Sequence, residues 1–208
     1  RLKAKASRLA WTVEAGPEAG EKLAANFFKI AEGFLEHSPV IAGYWPMTGE
    51  IDVRPLLGRL HDQGRTIVLP VVVAGGKPLI FRRWQPGMAL EEGAFGTQHP
   101  GPGQPEESPG CLIVPLLAFD RRGYRLGWGA GFYDRTLAGL RLTGLVIAVG
   151  VAFHAQQVDR VPQTPKDRQL DWIVTDQAVL GPINPRPWPA HAQPMPNLSP
   201  RTQPKAAF

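Results

Sequence analysis

Cysteine is almost absent from this sequence: Cys111 stands alone among 208 residues. One thiol makes no internal disulfide and no multi-cysteine zinc site, which suits a reducing compartment. Long hydrophobic runs are missing as well. The longest apolar stretches, such as Leu145–Phe153, fall far short of the roughly 20 residues that a membrane-spanning helix needs. The charged, alanine-rich start leads into no hydrophobic region of signal type. These absences predict a soluble, cytoplasmic protein that is not exported and not membrane-bound. No dense Arg/Lys stripe with interleaved aromatics runs through the body. The formal charge is +5, but from Pro182 onward Arg186, Arg201 and Lys205 stand without a single acid. The remaining body is only mildly basic. That balance favours small anionic ligands and does not call for nucleic acid.

What is present is the composition of a globular chain, 43% hydrophobic and 20% charged, in a length that fits one domain. Leu23, Phe27, Ile30, Ala31 and Phe34 share one face of a helix expected over Glu18–Leu35. Ser38-Pro39 ends it, and Val40–Tyr44 reads as a short buried strand. Leu56, Leu57 and Leu60 mark a second helix over Val53–Gln63, with Gly64 at the position of a helix C-terminal glycine. Arg65–Val73 reads as a buried strand of parallel type, with Leu79–Trp84 returning after the Gly75–Pro78 turn. Pro86–Gly110 is rich in Gly and Pro and reads as a long surface loop. Leu112–Leu117, a helix over Phe132–Arg141, the strand Leu145–Phe153 and the short strand Trp172–Val174 follow. This alternation predicts an α/β fold: a mainly parallel open sheet flanked by helices, Rossmann-like in its three layers. Residues 1–181 form that single domain. Residues 182–208, rich in Pro, Ala, Gln and Asn, read as a disordered tail.

The chemistry is expected in the segment from Ala118 to Arg135, between a buried strand and a helix, where open α/β sheets bind ligands. Gly127, Gly129 and Gly131 alternate ahead of the helix N-terminus, so backbone N–H groups can approach an anion. Arg125 could add a bidentate phosphate contact. The segment has neither the Gly-Lys-Ser/Thr of a Walker loop nor the dinucleotide GxGxxG fingerprint. On its glycines alone it reads equally as a tight strand-to-helix turn.

The run Phe119-Asp120-x-x-Gly123-x-Arg125-Leu126-Gly127-x-Gly129-x-Gly131-Phe132-Tyr133-Asp134-Arg135 closely resembles the signature of the 5-formyltetrahydrofolate cyclo-ligase family. Tyr44-x-Pro46-x-x-x-Glu50-x-Asp52, Leu69-Pro70-Val71, Phe81-x-x-Trp84, Phe153-x-x-Gln156, Val161-Pro162 and Asp167-x-x-Leu170-Asp171 extend the similarity in the same order, from about Arg1 to Asp176.

The resemblance implies ATP-driven closure of 5-formyltetrahydrofolate to 5,10-methenyltetrahydrofolate. In that reaction the formyl oxygen is phosphorylated, N10 attacks the activated carbon and phosphate departs. It further implies an ATP loop of Arg125, Leu126, Gly127, Trp128, Gly129, Ala130, Gly131, Phe132 and Tyr133, with Arg125 and Tyr133 catalytic. Mg²⁺ would lie on Asp134 and Asp167. The folate would meet Trp45, Glu50, Trp84 and Tyr133, and Arg1 and Arg8 would reach the nucleotide from an N-terminal helix. A lysine of the family's nucleotide-binding start would fall ahead of Arg1. Trp128, Ala130, His99 and Lys166 stand where other residues are frequent in the family. The expected partners are small molecules, the expected state a monomer. Two other readings keep the fold: a catalytically inactive module that binds nucleotide, folate or nucleic acid, and an ATP-using enzyme for a different pterin or vitamin.

Overall fold

The structure, a computed structural model, describes residues 2–184 and, among the side chains of the first helix, Ser7 and those from residue 10 onward. Arg1, the side chain of Arg8 and the tail from residue 185 lie outside the described residues. Helix α1 covers Leu2–Ala15 and α2 covers Ala19–Leu35. In α2 the apolar stripe read from the sequence is the buried face. Leu23, Phe27 and Phe34 are buried, and Phe27 meets Phe34 edge-on with ring centroids 6.0 Å apart. Strand β1 (Val40–Ala42), helix α3 (Arg54–Asp62) and strands β2 (Thr66–Val71) and β3 (Ile80–Trp84) follow. Leu56, Leu57 and Leu60 of α3 are buried. Gly64 has φ 79°, and the N–H of Arg65 reaches back to the Leu60 carbonyl at 3.0 Å, closing the helix as its glycine predicts.

The loop expected over Pro86–Gly110 is more ordered than its composition suggests. It carries a small hairpin, β4 (Glu91–Glu92) against β5 (Gln98–His99), with a single 3₁₀ turn at Ala94–Gly96 between them. Its last part lies along β3: the Arg83 N–H donates to the Pro105 carbonyl at 2.9 Å and the Glu107 N–H to the Phe81 carbonyl at 3.0 Å. These bonds use backbone groups that an edge strand would otherwise leave open.

The chain then enters β6 (Cys111–Pro115), a short hairpin of β7 (Ala118–Phe119) and β8 (Arg125–Leu126), helix α4 (Phe132–Thr143), β9 (Ile147–Ala152), β10 (Trp172–Thr175) and β11 (Val179–Leu180). The seven-stranded sheet has the order β11-β10-β9-β6-β1-β2-β3. Its five inner strands are parallel, and β3 and β11 run antiparallel at the two edges. Alternate residues of the inner strands serve two cores. Ile41, Ile67, Leu69, Ile113 and Val149 pack with α2 and α3, while Ala42, Val68, Leu112, Val114 and Ala148 pack with Leu137 of α4. Helices therefore cover both faces, as the strand–helix alternation predicts. Among the described residues no helix is long and apolar enough to cross a membrane.

Two features of this layout position a site. First, β1 and β6 are neighbours, yet the chain leaves β1 toward β2 and leaves β6 toward β9. The strand order thus reverses between them, which opens a crevice at their carboxyl ends. Second, backbone packing there is close: a Cβ on Gly43, just after β1, would lie 2.5 Å from Leu57 of α3. Near the end of the described chain, Ile183 packs on the second core and donates its N–H to the Asp171 carbonyl at 2.9 Å. The first residues of the segment read as tail are therefore held by the domain.

Candidate active site

One wall of the crevice is the loop after β1. Tyr44 is buried, and its hydroxyl donates to the Ile51 carbonyl at 3.1 Å. The Met47 N–H donates to Glu50 Oε2 at 3.0 Å and the Glu50 N–H to the Met47 carbonyl at 2.9 Å, so Glu50 closes its own turn. Gly49, at φ 78°, supplies the left-handed residue which that turn needs. Trp45 lies 5.9 Å from the Trp84 ring, with the Arg54 guanidinium 5.6 Å from its own centroid. Arg54 in turn grips both Asp52 oxygens at 2.8 and 2.7 Å.

The opposite wall is the β7–β8 hairpin and the loop beyond it. Asp120 organises it. Its Oδ1 accepts the N–H groups of Arg122 (2.9 Å) and Tyr124 (3.3 Å), and its Oδ2 accepts the Arg122 guanidinium (2.6 Å) and the Val161 N–H (2.9 Å). Burial acts to raise the Asp120 pKa, but the bonds from Val161, Arg122 and Tyr124 together bring it below the ordinary value. A carboxylate with a depressed folded pKa stabilises the fold above its unfolded value, and that contribution fades as pH falls through the folded one. Asp120→Asn is therefore expected to cost about 2–3 kcal/mol at neutral pH. The variant's stability should also vary less with pH below about pH 4 than the parent's. Urea denaturation across the acid range checks both.

From the hairpin the chain passes Gly127, Gly129 (φ 107°) and Gly131 (φ 67°) into the N-terminus of α4. No neighbouring atom lies within 4 Å of where a Gly127 Cβ would sit, so backbone is open to a ligand there. Ala130 accepts the Arg135 guanidinium at 2.7 Å through its carbonyl, which ties the loop to the helix it precedes. Trp128 is 40% exposed, and its Nε1–H points at Glu50 Oε1 across 3.4 Å, joining the two walls.

Arg125 behaves differently from a free phosphate ligand. Its side chain is only 5% exposed and donates to Asp134 Oδ1 at 2.7 Å and to the Arg168 carbonyl at 2.6 Å. The Arg168 N–H completes the group by donating to the same Asp134 Oδ1 at 2.9 Å. The Asp134 carboxylate is thereby tied to the backbone of Arg168, the residue that follows Asp167. Asp167 Oδ2 accepts from the N–H (2.6 Å) and hydroxyl (3.0 Å) of Thr164.

Two polar atoms in this region are buried without a hydrogen-bond partner: the Tyr133 hydroxyl and Trp84 Nε1. Burial pushes the Tyr133 hydroxyl pKa up, the Glu50 charge adds to the rise and Arg125 opposes it. The phenol is thus neutral and protonated, a donor that feels both the Glu50 carboxylate and the Arg125 guanidinium. Buried polar groups rarely go unpaired, and a ligand is one explanation when they do.

A cleft of about 410 Å³ opens beside these groups, lined by Trp45, Pro46, Met47 and Thr48 and, from the β4–β5 hairpin, by Gly96 and Gln98. The sequence reading missed that hairpin, the organising role of Asp120 and the backbone of Arg168. Asp120-x-x-Gly123 is a turn signature that could have revealed the second; nothing local announces the third.

Of the expected site residues, Trp45, Glu50, Trp84, Arg125, Trp128, Tyr133 and Asp134 converge on the crevice, with Leu126 and Phe132 flanking the glycine loop. Arg1 lies outside the described residues, as does the Arg8 side chain on α1. Among the described residues no three His, Cys, Asp or Glu side chains gather into a metal cluster. A hard divalent cation held by one or two carboxylates together with phosphate oxygens needs no such cluster. Asp134 Oδ2 accepts no hydrogen bond among the described residues, whereas Asp167 Oδ2 already accepts from Thr164.

Residues 1–176 match the 5-formyltetrahydrofolate cyclo-ligase family. A protein named 5-formyltetrahydrofolate cyclo-ligase from Escherichia coli K12 is 32% identical over 178 residues, 83% of this chain and 96% of its own. One of the same name from Haemophilus influenzae is 37% identical over 127 residues, 59% of this chain and 67% of its own. The NMR structure of Aquifex aeolicus 5,10-methenyltetrahydrofolate synthetase is similar with a TM-score of 0.70 at 30% identity, covering 91% of this chain and 94% of that one.

Proposed function

This chain belongs to the 5-formyltetrahydrofolate cyclo-ligase family, and from that premise we propose that it converts 5-formyltetrahydrofolate and ATP into 5,10-methenyltetrahydrofolate, ADP and phosphate. The observation that carries the reading is the buried, partnerless Tyr133 hydroxyl, within electrostatic reach of Glu50 on one wall and Arg125 on the other. The formyl oxygen attacks the γ-phosphorus and the bond to ADP breaks. N10 then adds to the activated carbon and loses its proton, and the carbon–oxygen bond breaks to release phosphate. The poor leaving group of an amide is thus exchanged for a good one.

Each part of the site supports a share of this. The open backbone from Gly127 to Gly131 and the N-terminus of α4 suit the triphosphate. Glu50 Oε1 suits a pterin N–H, the neutral Tyr133 hydroxyl is a donor for an oxygen gaining charge, and Trp45 and Trp84 exclude water from the reacting carbon. Asp134 and Asp167 would hold Mg²⁺, which supplies charge neutralisation of the phosphate oxygens when bound. Arg125 serves by holding Asp134 in place. A cytoplasmic setting belongs to the same proposal, in keeping with the single buried thiol of Cys111.

Mixing the protein with Mg-ATP and 5-formyltetrahydrofolate should produce the near-ultraviolet absorbance of the conjugated methenyl product, and omitting ATP should abolish it. Folded protein that binds ATP yet yields no such band would overturn the proposal.

A further inference from the structure

Phe95 sits at the tip of the β4–β5 hairpin and breaks two ordinary rules. It is 73% exposed, although large apolar side chains gain by burial. It is also the one non-glycine described residue with positive φ, at φ 63° and ψ 22°, a conformation that a phenylalanine adopts only against steric cost. The hairpin keeps it there: the Gly93 N–H donates to the Thr97 carbonyl at 2.7 Å, and the Thr97 hydroxyl to the Ala94 carbonyl at 2.8 Å. The ring does not simply point to solvent. Its centroid is 6.0 Å from that of Phe132, the first residue of α4 after the glycine loop. Its neighbour Gly96 and nearby Gln98 line the cleft with Trp45–Thr48. The strained residue therefore stands at the mouth, between the wall assigned to the folate and the loop assigned to the nucleotide.

We propose that Phe95 is a substrate-positioning residue that packs against the p-aminobenzoyl ring of the folate. This rests on the proposed reaction. With the pterin at Glu50, Trp84 and Tyr133, the aromatic ring attached to N10 leaves the crevice through its mouth, where a flat apolar surface is on offer. Stacking there buries the exposed face of Phe95 and orients N10 toward the formyl carbon, because N10 and the ring are conjugated and move together. The left-handed backbone is the conformation in which the ring lies beside Phe132.

Binding of 5-formyltetrahydrofolate is compared with that of 5-formyltetrahydropterin, which lacks the p-aminobenzoyl arm, by titration calorimetry with wild type, Phe95→Ala and Phe95→Tyr. Phe95→Ala should weaken the folate about tenfold while changing the pterin less than about twofold, and Phe95→Tyr should restore the folate. Phe95→Gly, which relieves the backbone, should melt no lower than wild type yet bind folate as weakly as Phe95→Ala. Equal weakening of both ligands, or of neither, would overturn the inference while leaving the reaction standing. Wild-type protein that binds neither ligand would overturn the proposed function, and this inference with it.

Discussion

Replacing Asp134 with alanine is expected to lower kcat/KM on the order of 10²–10³-fold, with thermal stability falling as well. Three consequences meet at this side chain. Arg125 would keep its charge, 5% exposed, with the Arg168 carbonyl as its remaining partner. The Arg168 N–H would lose the acceptor that fixes the strand of chain following Asp167. The proposed cation site would lose the oxygen that no protein donor occupies. Asp134→Asn separates these effects. An amide oxygen can still accept from Arg125 and Arg168, so stability should recover by more than half while turnover stays low. Steady-state kinetics at saturating and limiting Mg²⁺, with melting curves for both variants, distinguishes a metal role from a merely structural one. A Mg²⁺ requirement unchanged in Asp134→Asn would refute the metal assignment.

Arg125→Met should be the most destabilising single change in the loop, by about 2–4 kcal/mol, because removing one partner of a buried pair leaves the other uncompensated. The range is kept low since Asp134 is 23% exposed and water can partly replace the lost charge. For a domain of this size the melting temperature should fall by about 5–12 °C. Arg125→Lys should rescue little of this. The two bonds diverge, one to a carboxylate and one to the Arg168 carbonyl, and only a planar guanidinium reaches both from a fixed position. Folate binding should survive better than ATP turnover, since Arg125 shapes the nucleotide side. Differential scanning calorimetry and separate KM values for ATP and folate test both statements.

The role assigned to Arg125 shows where sequence reading stops. The signature from Phe119 to Arg135 was enough to mark the family and the loop that leads into α4. It could not reveal that Arg125 spends its donors on Asp134, because that bond forms only when β8 and α4 are folded back on each other. Helices α2 and α3 were legible because their buried leucines and phenylalanines repeat at helical spacing, and Gly64 ended α3 as its type predicts. The inner strands were legible as continuous apolar runs, which is how strands covered on both faces must read. The two-residue strands β4, β5, β7, β8 and β11 are too short to carry a period at all. Order in the segment after Trp84 was hidden for a different reason. Gly and Pro there signal turns, and the partners that fix it, the backbone of β3 and the Arg82 and Arg83 side chains, are brought to it only by the fold.

That segment also separates what the topology requires from what the chemistry uses. Strand β3 runs opposite to β2, so it returns the chain to the end of the sheet at which β6 begins. Joining β3 to β6 past β2 and β1 spans three strand spacings, roughly 15 Å, a gap that about five extended residues would bridge. The stretch between Trp84 and Cys111 is several times longer and detours to the crevice mouth before coming back. Within it, Met88 and Leu90 pack on the core and Pro105 and Glu107 pair with β3, which leaves the hairpin tip between Glu92 and Gln98 as the part least tied to strand order. Exchanges at that tip are where selection can retune which folates are accepted while the nucleotide side stays as it is.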